Sequence, residues 1–198
     1  SQSCLLPGAG INLEEYRMAP IPEENGTVFL FIGRIMKEKG IEELIRAAEL
    51  IKREFGNSSV QVVGPMEEPY EEQMERLKKD GVLNYYGFQS DVKPFLKGCH
   101  CFVLPSYHEG MANTLLEAAA MGRPLITTDI AGCREAVAEG KNGYLVPKRD
   151  AEQLYRAMKT FVQLPYEKKV EMGRMSRSIM EAEFDKALVV ETTIRRIV

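Results

Sequence analysis

Short apolar runs alternate with longer stretches of helical periodicity along the chain, and this alternation constrains the fold more than any other feature. The first run, Thr27–Ile32, is almost continuously apolar, as expected of a central parallel strand that is covered on both faces. The next stretch, Ile41–Phe55, repeats apolar residues on one helical face. The alternation predicts an α/β domain with a doubly wound, Rossmann-like parallel sheet.

The other predicted elements continue this pattern to the end of the chain. The predicted strands are Thr27–Ile32, Val60–Val63, Leu83–Tyr86, Cys101–Leu104, Pro124–Thr127 and Gly143–Val146. The predicted helices are Ile41–Phe55, Tyr70–Lys79, Val92–Leu96, a helix through Glu117, Arg134–Ala138, Ala151–Phe161, Glu167–Met180 and Lys186–Ile197. Asp150 is expected to cap the helix that it precedes.

Two glutamates, Glu109 and Glu117, flank the start of an apolar helix, with seven residues between them. The helix is apolar on every side and is therefore expected to be buried, which leaves Glu117 as its one charge. An unpaired buried carboxylate costs several kcal/mol, so Glu117 needs a partner, either a basic side chain or a ligand. A vicinal diol such as a ribose offers two hydroxyl donors to one carboxylate.

The frame P-S-x-x-E-G-x-x-x-x-L-L-E-A around these glutamates resembles the donor-sugar motif of retaining GT-B glycosyltransferases of family 4, the group 1 glycosyl transferases. Three further segments match motifs of this family in the same order: Gly33-Arg34 with Lys39-Gly40, Gly87-Phe88 with Asp91-Val92, and Ala131–Glu135 with Asn142–Val146. The resemblance covers roughly residues 5 to 165. The residues of these motifs most resemble those of bacterial enzymes that extend lipid-linked oligosaccharides or capsular and exopolysaccharide repeats.

The resemblance implies a role for each matched residue. Arg34 and Lys39 would hold the nucleotide diphosphate and stabilise the charge that builds as it leaves, and Glu109 would bind hydroxyls of the transferred sugar; these three form the implied catalytic set. Glu117 would accept the ribose hydroxyls. The remaining implied donor-binding residues are Gly33, Gly87, Phe88, Gln89, Gly110, Met111, Asn113 and Thr114, with Gly87 to Gln89 bordering the base.

The resemblance also implies an activity and a domain organisation. The chain would be one half of a GT-B enzyme, its C-terminal donor-binding domain, with a hinge at residues 1–12 and C-terminal helices at 166–198. The full enzyme would transfer a hexosyl or N-acetylhexosaminyl group from a nucleotide-diphosphate sugar, with uridine ahead of guanosine, to a glycan or lipid-linked acceptor. Transfer would retain the anomeric configuration and need no metal or other cofactor. The acceptor-binding domain would be missing here, so this chain would bind the donor only.

Composition excludes several classes of function without selecting one. A net charge of −3 gives no basic surface for nucleic acid. The sequence carries neither a signal peptide nor an apolar run of membrane-spanning length, so the expected location is cytoplasmic, with peripheral association at the inner face of the plasma membrane for the full enzyme. Cys99 and Cys101 are expected to be buried thiols on one face of a strand.

Some assignments stay open or favour a structural role. Gly8-Ala9-Gly10 suggests a dinucleotide-dependent oxidoreductase, but it lacks the third glycine, follows no core strand and opens no apolar helix. A nucleotide-sugar-binding module and a GT-B epimerase remain alternatives to transfer. His108 is expected at a pocket rim and His100 at the start of a strand. Arg134 either pairs with Glu135 or belongs to a donor-pocket turn.

Overall fold

A computed structural model describes residues 10–23 and 26–190 of the chain. Its six strands form one parallel sheet in the order β3-β2-β1-β4-β5-β6, which confirms the doubly wound α/β prediction. The strands are β1 Val28–Ile32, β2 Ser59–Val63, β3 Leu83–Tyr85, β4 Cys101–Leu104, β5 Leu125–Thr128 and β6 Gly143–Val146. The α-helices are α1 Ile41–Glu54, α2 Glu71–Lys79, α3 Lys93–Gly98, α4 Asn113–Ala120, α5 Ala151–Gln163 and α6 Tyr166–Ile179.

The central strands are buried on both faces, as their apolar composition requires. Phe29, Leu30 and Phe31 of β1 have no exposed surface, and neither have Cys101, Phe102 and Val103 of β4. Cys99, Cys101 and Cys133 are buried free thiols, whereas Cys4 lies outside the described residues. Helices cover both faces of the sheet, so the side chains on both sides of a near-continuous apolar strand are shielded from water. The apolar pattern of these strands thus correctly predicted a sheet that is covered on both faces.

Element boundaries follow the sequence predictions to within two residues. Asp150 caps α5 as expected, because its side chain accepts a hydrogen bond from the Gln153 amide at 2.9 Å. The sequence did not predict the π turn Met180–Phe184 that follows α6 directly. Residues 186–190 are helical, and the rest of the predicted last helix lies outside the described residues.

The segment around Gly10 and Ile11 is fixed to the end of the π turn rather than to a ligand loop. The Ile11 amide donates to the Phe184 carbonyl at 2.7 Å, and the Lys186 amide donates to the Ile11 carbonyl at 3.0 Å. Gly10 has φ 70°, and a side chain there would meet the Lys186 Cα at 2.8 Å. Gly10 thus serves a close backbone approach, while Gly8, Ala9 and the remaining predicted hinge residues 1–9 lie outside the described residues.

The strand order has a functional consequence. Chain connections run outward in opposite directions from β1 and β4, so the sheet has its topological switch point between these two strands. In open α/β sheets, ligands bind beyond the carboxyl ends of the strands at such a point. The loops after Ile32 and after Leu104 are therefore where a ligand site is expected.

Candidate functional site

A cleft of about 210 Å³ opens at the carboxyl ends of β1 and β4. Its lining joins residues from the loop after β1, from the loop after β4 and from the start of α4. These residues are Ile32, Gly33, Arg34, Lys39, Leu104, Glu109, Ala112, Asn113 and Thr114. Six of them are among the site residues predicted from the sequence, so the structure gathers half of the predicted site in this cleft.

Lys39 and Glu109 pair with each other across this cleft. The Lys39 Nζ lies 2.7 Å from the Glu109 Oε1, and the two side chains are only 17% and 12% exposed. Two charges so far removed from water are stable only when each neutralises the other. The sequence prediction gave Lys39 to a diphosphate and Glu109 to a sugar, and it did not foresee this pair.

The loops that carry Lys39 and Glu109 are packed directly against each other. Lys39 ends a 3₁₀ turn, and the next residue, Gly40, has φ 72°. A Cβ at Gly40 would stand 2.1 Å from the Pro105 carbonyl oxygen, so only glycine permits this approach. The Tyr107 amide also donates to the Glu38 carbonyl at 2.8 Å. Two separate sequence motifs therefore form one rigid unit.

The turn at Gly132–Glu135 supports the Glu109 loop from the other side. A Cβ at Gly132 would meet the Glu109 carbonyl oxygen at 2.6 Å, and the Ala112 amide donates to the Gly132 carbonyl at 3.0 Å. The Glu135 carboxylate accepts from the Gly132 amide at 2.9 Å, which holds the turn closed. This motif acts on the site through backbone contacts.

Of the two interpretations of Arg134, the ion pair with Glu135 is wrong. Arg134 instead pairs with Asp129, with 2.9 Å between the Arg134 Nε and the Asp129 Oδ1. Because Glu135 points back to its own turn, its carboxylate is engaged there and Arg134 turns toward the end of β5.

Residues 110–114 lead from Glu109 into α4. Gly110 and Asn113 are exposed, while Met111 and Thr114 are half-buried. Ala112 is the N-cap of α4 and provides no side-chain hydrogen bond. The amide of Asn113, the first residue of the helix, already donates to the Met111 carbonyl at 3.0 Å. The start of α4 therefore offers an anion the positive end of the helix dipole.

Glu117 lies one turn further along α4 and is half-buried, not fully buried as the sequence predicted. The neutral phenol of Tyr16 and the charges of Glu15 and Lys93 lie near its carboxylate. Burial raises the pKa of the Glu117 carboxyl, and the neighbouring Tyr16 and Lys93 partly offset this rise. Neither Tyr16 nor Lys93 was identified from the sequence, because nothing in the local pattern brings these distant segments to α4.

The predicted base-binding loop, Gly87 to Gln89, lies at the same edge of the sheet but outside the cleft lining. The Gly64 amide donates to the Gly87 carbonyl at 2.8 Å. Gly64 in turn contacts Gly33, since a Cβ at Gly64 would stand 1.9 Å from the Gly33 carbonyl oxygen. Phe88 is 71% exposed. These contacts connect the ends of β1, β2 and β3 into one surface.

The two histidines behave differently. His108 is exposed and lines a second cavity of about 400 Å³ beyond Glu109, consistent with a rim residue. His100 is buried at the start of β4, where its Nδ1 accepts from the Val28 amide at 3.0 Å. This contact lies at the amino end of the sheet, away from the cleft, so His100 serves the fold.

Within residues 10–23 and 26–190, no three His, Cys, Asp or Glu side chains cluster as metal ligands. Over the same part of the chain, no helix has the length and apolar character that crossing a membrane requires.

Comparison with known proteins identifies relatives of the chain. It is 26% identical over 205 residues to the N,N'-diacetylbacillosaminyl-diphospho-undecaprenol alpha-1,3-N-acetylgalactosaminyltransferase of Campylobacter jejuni, covering 97% of this chain and 53% of that protein. It is 30% identical over 172 residues to the putative glycosyltransferase EpsD of Bacillus subtilis, covering 76% of this chain and 45% of EpsD. The chain thus spans about half the length of these relatives.

A solved structure and a family model complete the comparison. The crystal structure of Anabaena HepE in complex with UDP superposes with a TM-score of 0.82 at 19% identity, covering 95% of this chain and 55% of HepE. At that identity the likeness establishes the shared fold. The model of the family described as glycosyl transferases group 1 matches residues 13–178. This match spans the whole cleft described above, and the chain belongs to the group 1 glycosyl transferase family.

Proposed function

We propose that the chain is the donor-binding domain of a bacterial glycosyltransferase of cell-surface polysaccharide biosynthesis, and that the cleft at β1 and β4 binds a UDP sugar. One observation carries the proposal: Arg34, Lys39, Glu109 and the start of α4 converge at the switch point of the sheet. The cleft offers two cations, the N-terminus of α4 and a carboxylate. A diphosphate joined to a polyhydroxylated ring has matching chemistry.

The cations suit the diphosphate. Arg34 is exposed beside the cleft, and a guanidinium binds two phosphate oxygens in parallel. Lys39 adds a compact charge on a short, rigid turn. The N-terminus of α4 offers the same anion the positive end of the helix dipole. Charge fixed in this way stabilises the departing diphosphate without reorganisation during the reaction.

The two glutamates suit the two ring systems of a nucleotide sugar. Glu109 stands at the mouth of α4, where its carboxylate accepts hydrogen bonds from hydroxyls of the transferred hexose or N-acetylhexosamine. Glu117, which lies further along the chain within α4, accepts the ribose hydroxyls. The surface of Gly87 to Gln89, with the exposed ring of Phe88, borders the base. The proposed roles thus follow the donor from sugar to base along one edge of the sheet.

The proposed reaction retains the anomeric configuration. As the bond between the sugar and the diphosphate breaks, positive charge develops on the sugar ring and negative charge on the leaving phosphate. Arg34, Lys39 and the N-terminus of α4 lie on the side of that phosphate, and their stabilisation is the main contribution of this chain to the rate. We propose that no divalent metal takes part, since these groups already supply the positive charge.

The acceptor is proposed to be a glycan or a lipid-linked sugar, bound mainly by a second domain. The Campylobacter relative, whose name specifies a diphospho-undecaprenol acceptor, supports this class. Transfer requires the reacting atoms to be held about 3–3.5 Å apart in a cleft that excludes water. One wall of that cleft would come from the second domain, so the chain alone is proposed to bind donor without transfer. The full enzyme would act in the cytoplasm, at the inner face of the membrane.

A thermal-shift panel tests this function. UDP, GDP and ADP are compared in EDTA on the wild-type chain, on Arg34→Met and on the control Arg46→Met. Arg46 is a surface arginine of α1 that pairs with Glu49 at 3.6 Å. UDP is expected to raise the Tm of the wild type and of the control by mass action, and to raise that of Arg34→Met less. No stabilisation by any nucleotide, or equal stabilisation of all three proteins, would contradict the proposed site.

A further inference from the structure

Tyr107, two residues before Glu109, contacts three other parts of the fold. Its hydroxyl donates to the Glu43 carboxylate of α1, whose two oxygens lie 2.8 and 2.9 Å away. Its amide donates to the Glu38 carbonyl in the 3₁₀ turn before α1. The Arg149 guanidinium, from the loop between β6 and α5, lies 4.8 Å from the centre of the Tyr107 ring. These contacts leave Tyr107 only 3% exposed.

Glu109 itself lies in an irregular loop, residues 105–112, between β4 and α4. No helical or strand hydrogen bonds fix the backbone of such a loop, so its conformation depends on anchoring contacts. The Thr128 hydroxyl donates to the Ser106 carbonyl at 2.5 Å and fixes the start of the loop. Tyr107 follows directly and connects the loop to α1. The direction of the Glu109 side chain therefore depends on this tyrosine.

Arg149 covers the Tyr107 ring from a strained backbone position. Its φ of 61° lies in the left-handed region, which costs energy for a residue that has a Cβ. Glycine would adopt this φ without strain but would leave the ring uncovered. The attraction between the guanidinium and the face of the ring offsets part of the cost. The strain at Arg149 is thus coupled to a contact that fixes Tyr107.

We propose that Tyr107 is a positioning residue for the donor sugar, which keeps the Glu109 carboxylate at the cleft after its ion pair with Lys39 is broken. This inference rests on the proposed function and adds a determinant to the same site. When Lys39 binds the diphosphate, Glu109 loses its counter-ion, and the loop conformation must then keep the carboxylate directed at the sugar hydroxyls. Tyr107 acts through Glu109 and does not itself contact the sugar.

Calorimetry with UDP, UDP-glucose and UDP-N-acetylgalactosamine measures the contribution of the sugar to binding. The quantity compared is the affinity for the tighter sugar nucleotide divided by the affinity for UDP. Tyr107→Phe is expected to lower this ratio roughly threefold, because a displaced Glu109 loses part of its hydrogen bonding to the sugar, and not to weaken UDP. Tyr70→Phe is the matched control, since the Tyr70 hydroxyl contacts the neighbouring α1 carboxylate of Glu42 at 3.2 Å. The control should leave the ratio unchanged.

Arg149→Gly separates positioning from folding stability. Glycine relieves the left-handed backbone and removes the guanidinium from the Tyr107 ring, so the two effects on Tm oppose each other and Tm should change little. The affinity ratio should nevertheless fall, roughly twofold. An unchanged ratio in this variant would show that the contact between Arg149 and the ring has no part in the positioning.

A double-mutant cycle gives a readout that needs no ligand. The coupling between Lys39 and Glu109 is obtained from the urea unfolding of Lys39→Met, Glu109→Gln and the double variant, in the wild-type and in the Tyr107→Phe background. A displaced Glu109 should couple less strongly to Lys39. A purely structural role of Tyr107 would instead lower stability and leave the coupling unchanged.

The outcomes distinguish this inference from the proposed function. An unchanged ratio or an unchanged coupling in Tyr107→Phe, or equal losses for UDP and the sugar nucleotides, would overturn the inference while the wild type still binds UDP. If the wild type bound no UDP, or if Glu109→Gln left the ratio unchanged, the proposed site or the proposed role of Glu109 would be refuted, and this inference with it.

Discussion

Glu109 and Glu117 belong to one short segment, yet the structure gives them opposite surroundings. Glu109 has a lysine 2.7 Å away in a pair that is largely removed from water. Glu117 has the neutral phenol of Tyr16 and the charges of Glu15 and Lys93 near it, and burial raises the pKa of its carboxyl. The charge of Glu109 is therefore already neutralised before any ligand binds, whereas the charge of Glu117 is not.

The comparison indicates what ligand binding changes at each glutamate. At Glu109, a diphosphate competes with the carboxylate for Lys39, so binding exchanges one anion for another around the same cation. At Glu117, a ribose supplies hydrogen bonds that the carboxylate lacks, so binding adds contacts without removing any charge pair. Substitutions at the two positions should therefore change UDP affinity in opposite directions.

The largest effect is expected for Lys39→Met. The variant removes a phosphate-binding cation and leaves Glu109 without its counter-ion, which costs on the order of 1–3 kcal/mol for a pair buried to this degree. We expect Tm to fall by several degrees and UDP affinity to fall by at least about tenfold. Differential scanning fluorimetry and calorimetry measure the two quantities.

Lys37→Met is the matched control for that variant. Lys37 lies in the same 3₁₀ turn, but its side chain is 61% exposed and its pair with Glu42 spans 3.4 Å at the surface. A surface pair of this kind contributes little to stability. Equal losses in the two variants would show that the cleft pair has no special role.

The next effect is expected for Glu117→Gln. The amide keeps the shape of the side chain but replaces one acceptor oxygen with a donor group and removes the charge. UDP affinity should fall about tenfold, as for loss of a charge-assisted hydrogen bond, and affinity for 2′,3′-dideoxy-UDP should change much less. Calorimetry with both nucleotides decides this, and parallel losses would argue against a ribose contact.

A smaller effect of opposite sign is expected for Glu109→Gln. Removing the carboxylate charge frees Lys39 for the diphosphate, so UDP should bind about threefold more tightly. A UDP sugar should gain less, or lose affinity, because its sugar hydroxyls lose their charged acceptor. If UDP affinity fell as it does in Glu117→Gln, the contrast between the two glutamates would be wrong.

The smallest effect concerns the stability of the ligand-free chain. The pKa of Glu117 is raised in the folded state relative to its ordinary value of 4.5, so ionised Glu117 destabilises the fold at a pH above the raised pKa. Glu117→Gln should therefore raise Tm slightly at pH 7, on the order of 1 °C. The difference should shrink as the pH falls through the raised pKa toward 4.5. Thermal melts across this pH range measure the Tm difference between the variant and the wild type. A difference that increased as the pH fell would contradict a raised pKa of Glu117 in the folded state.

The parts of the site that the sequence predicted share a local origin. Gly33 and Arg34 follow one apolar strand, and Glu109 follows another, so the rule for parallel sheets brings them to one edge. Asp150 was predicted as a cap because capping depends on residues only three positions apart. Local pattern was sufficient wherever the strand or helix itself determines where a side chain lies.

The parts that were missed depend on contacts between distant segments. Lys39 and Glu109 are separated by 70 positions, and the segment of Tyr16 reaches α6 through Arg177 across 161 positions. Arg134 pairs with Asp129 rather than Glu135, whose carboxylate accepts from the Gly132 amide. No periodicity records such pairings, which arise only when the loops are packed together.

A crystal structure of this chain with UDP would show directly how the two glutamates respond to the ligand. We expect the Lys39 ammonium to leave Glu109 and contact the diphosphate beside Arg34, while the Glu117 carboxylate accepts both ribose hydroxyls. UDP bound elsewhere, with the Lys39–Glu109 pair intact and Glu117 without a ribose contact, would contradict this expectation.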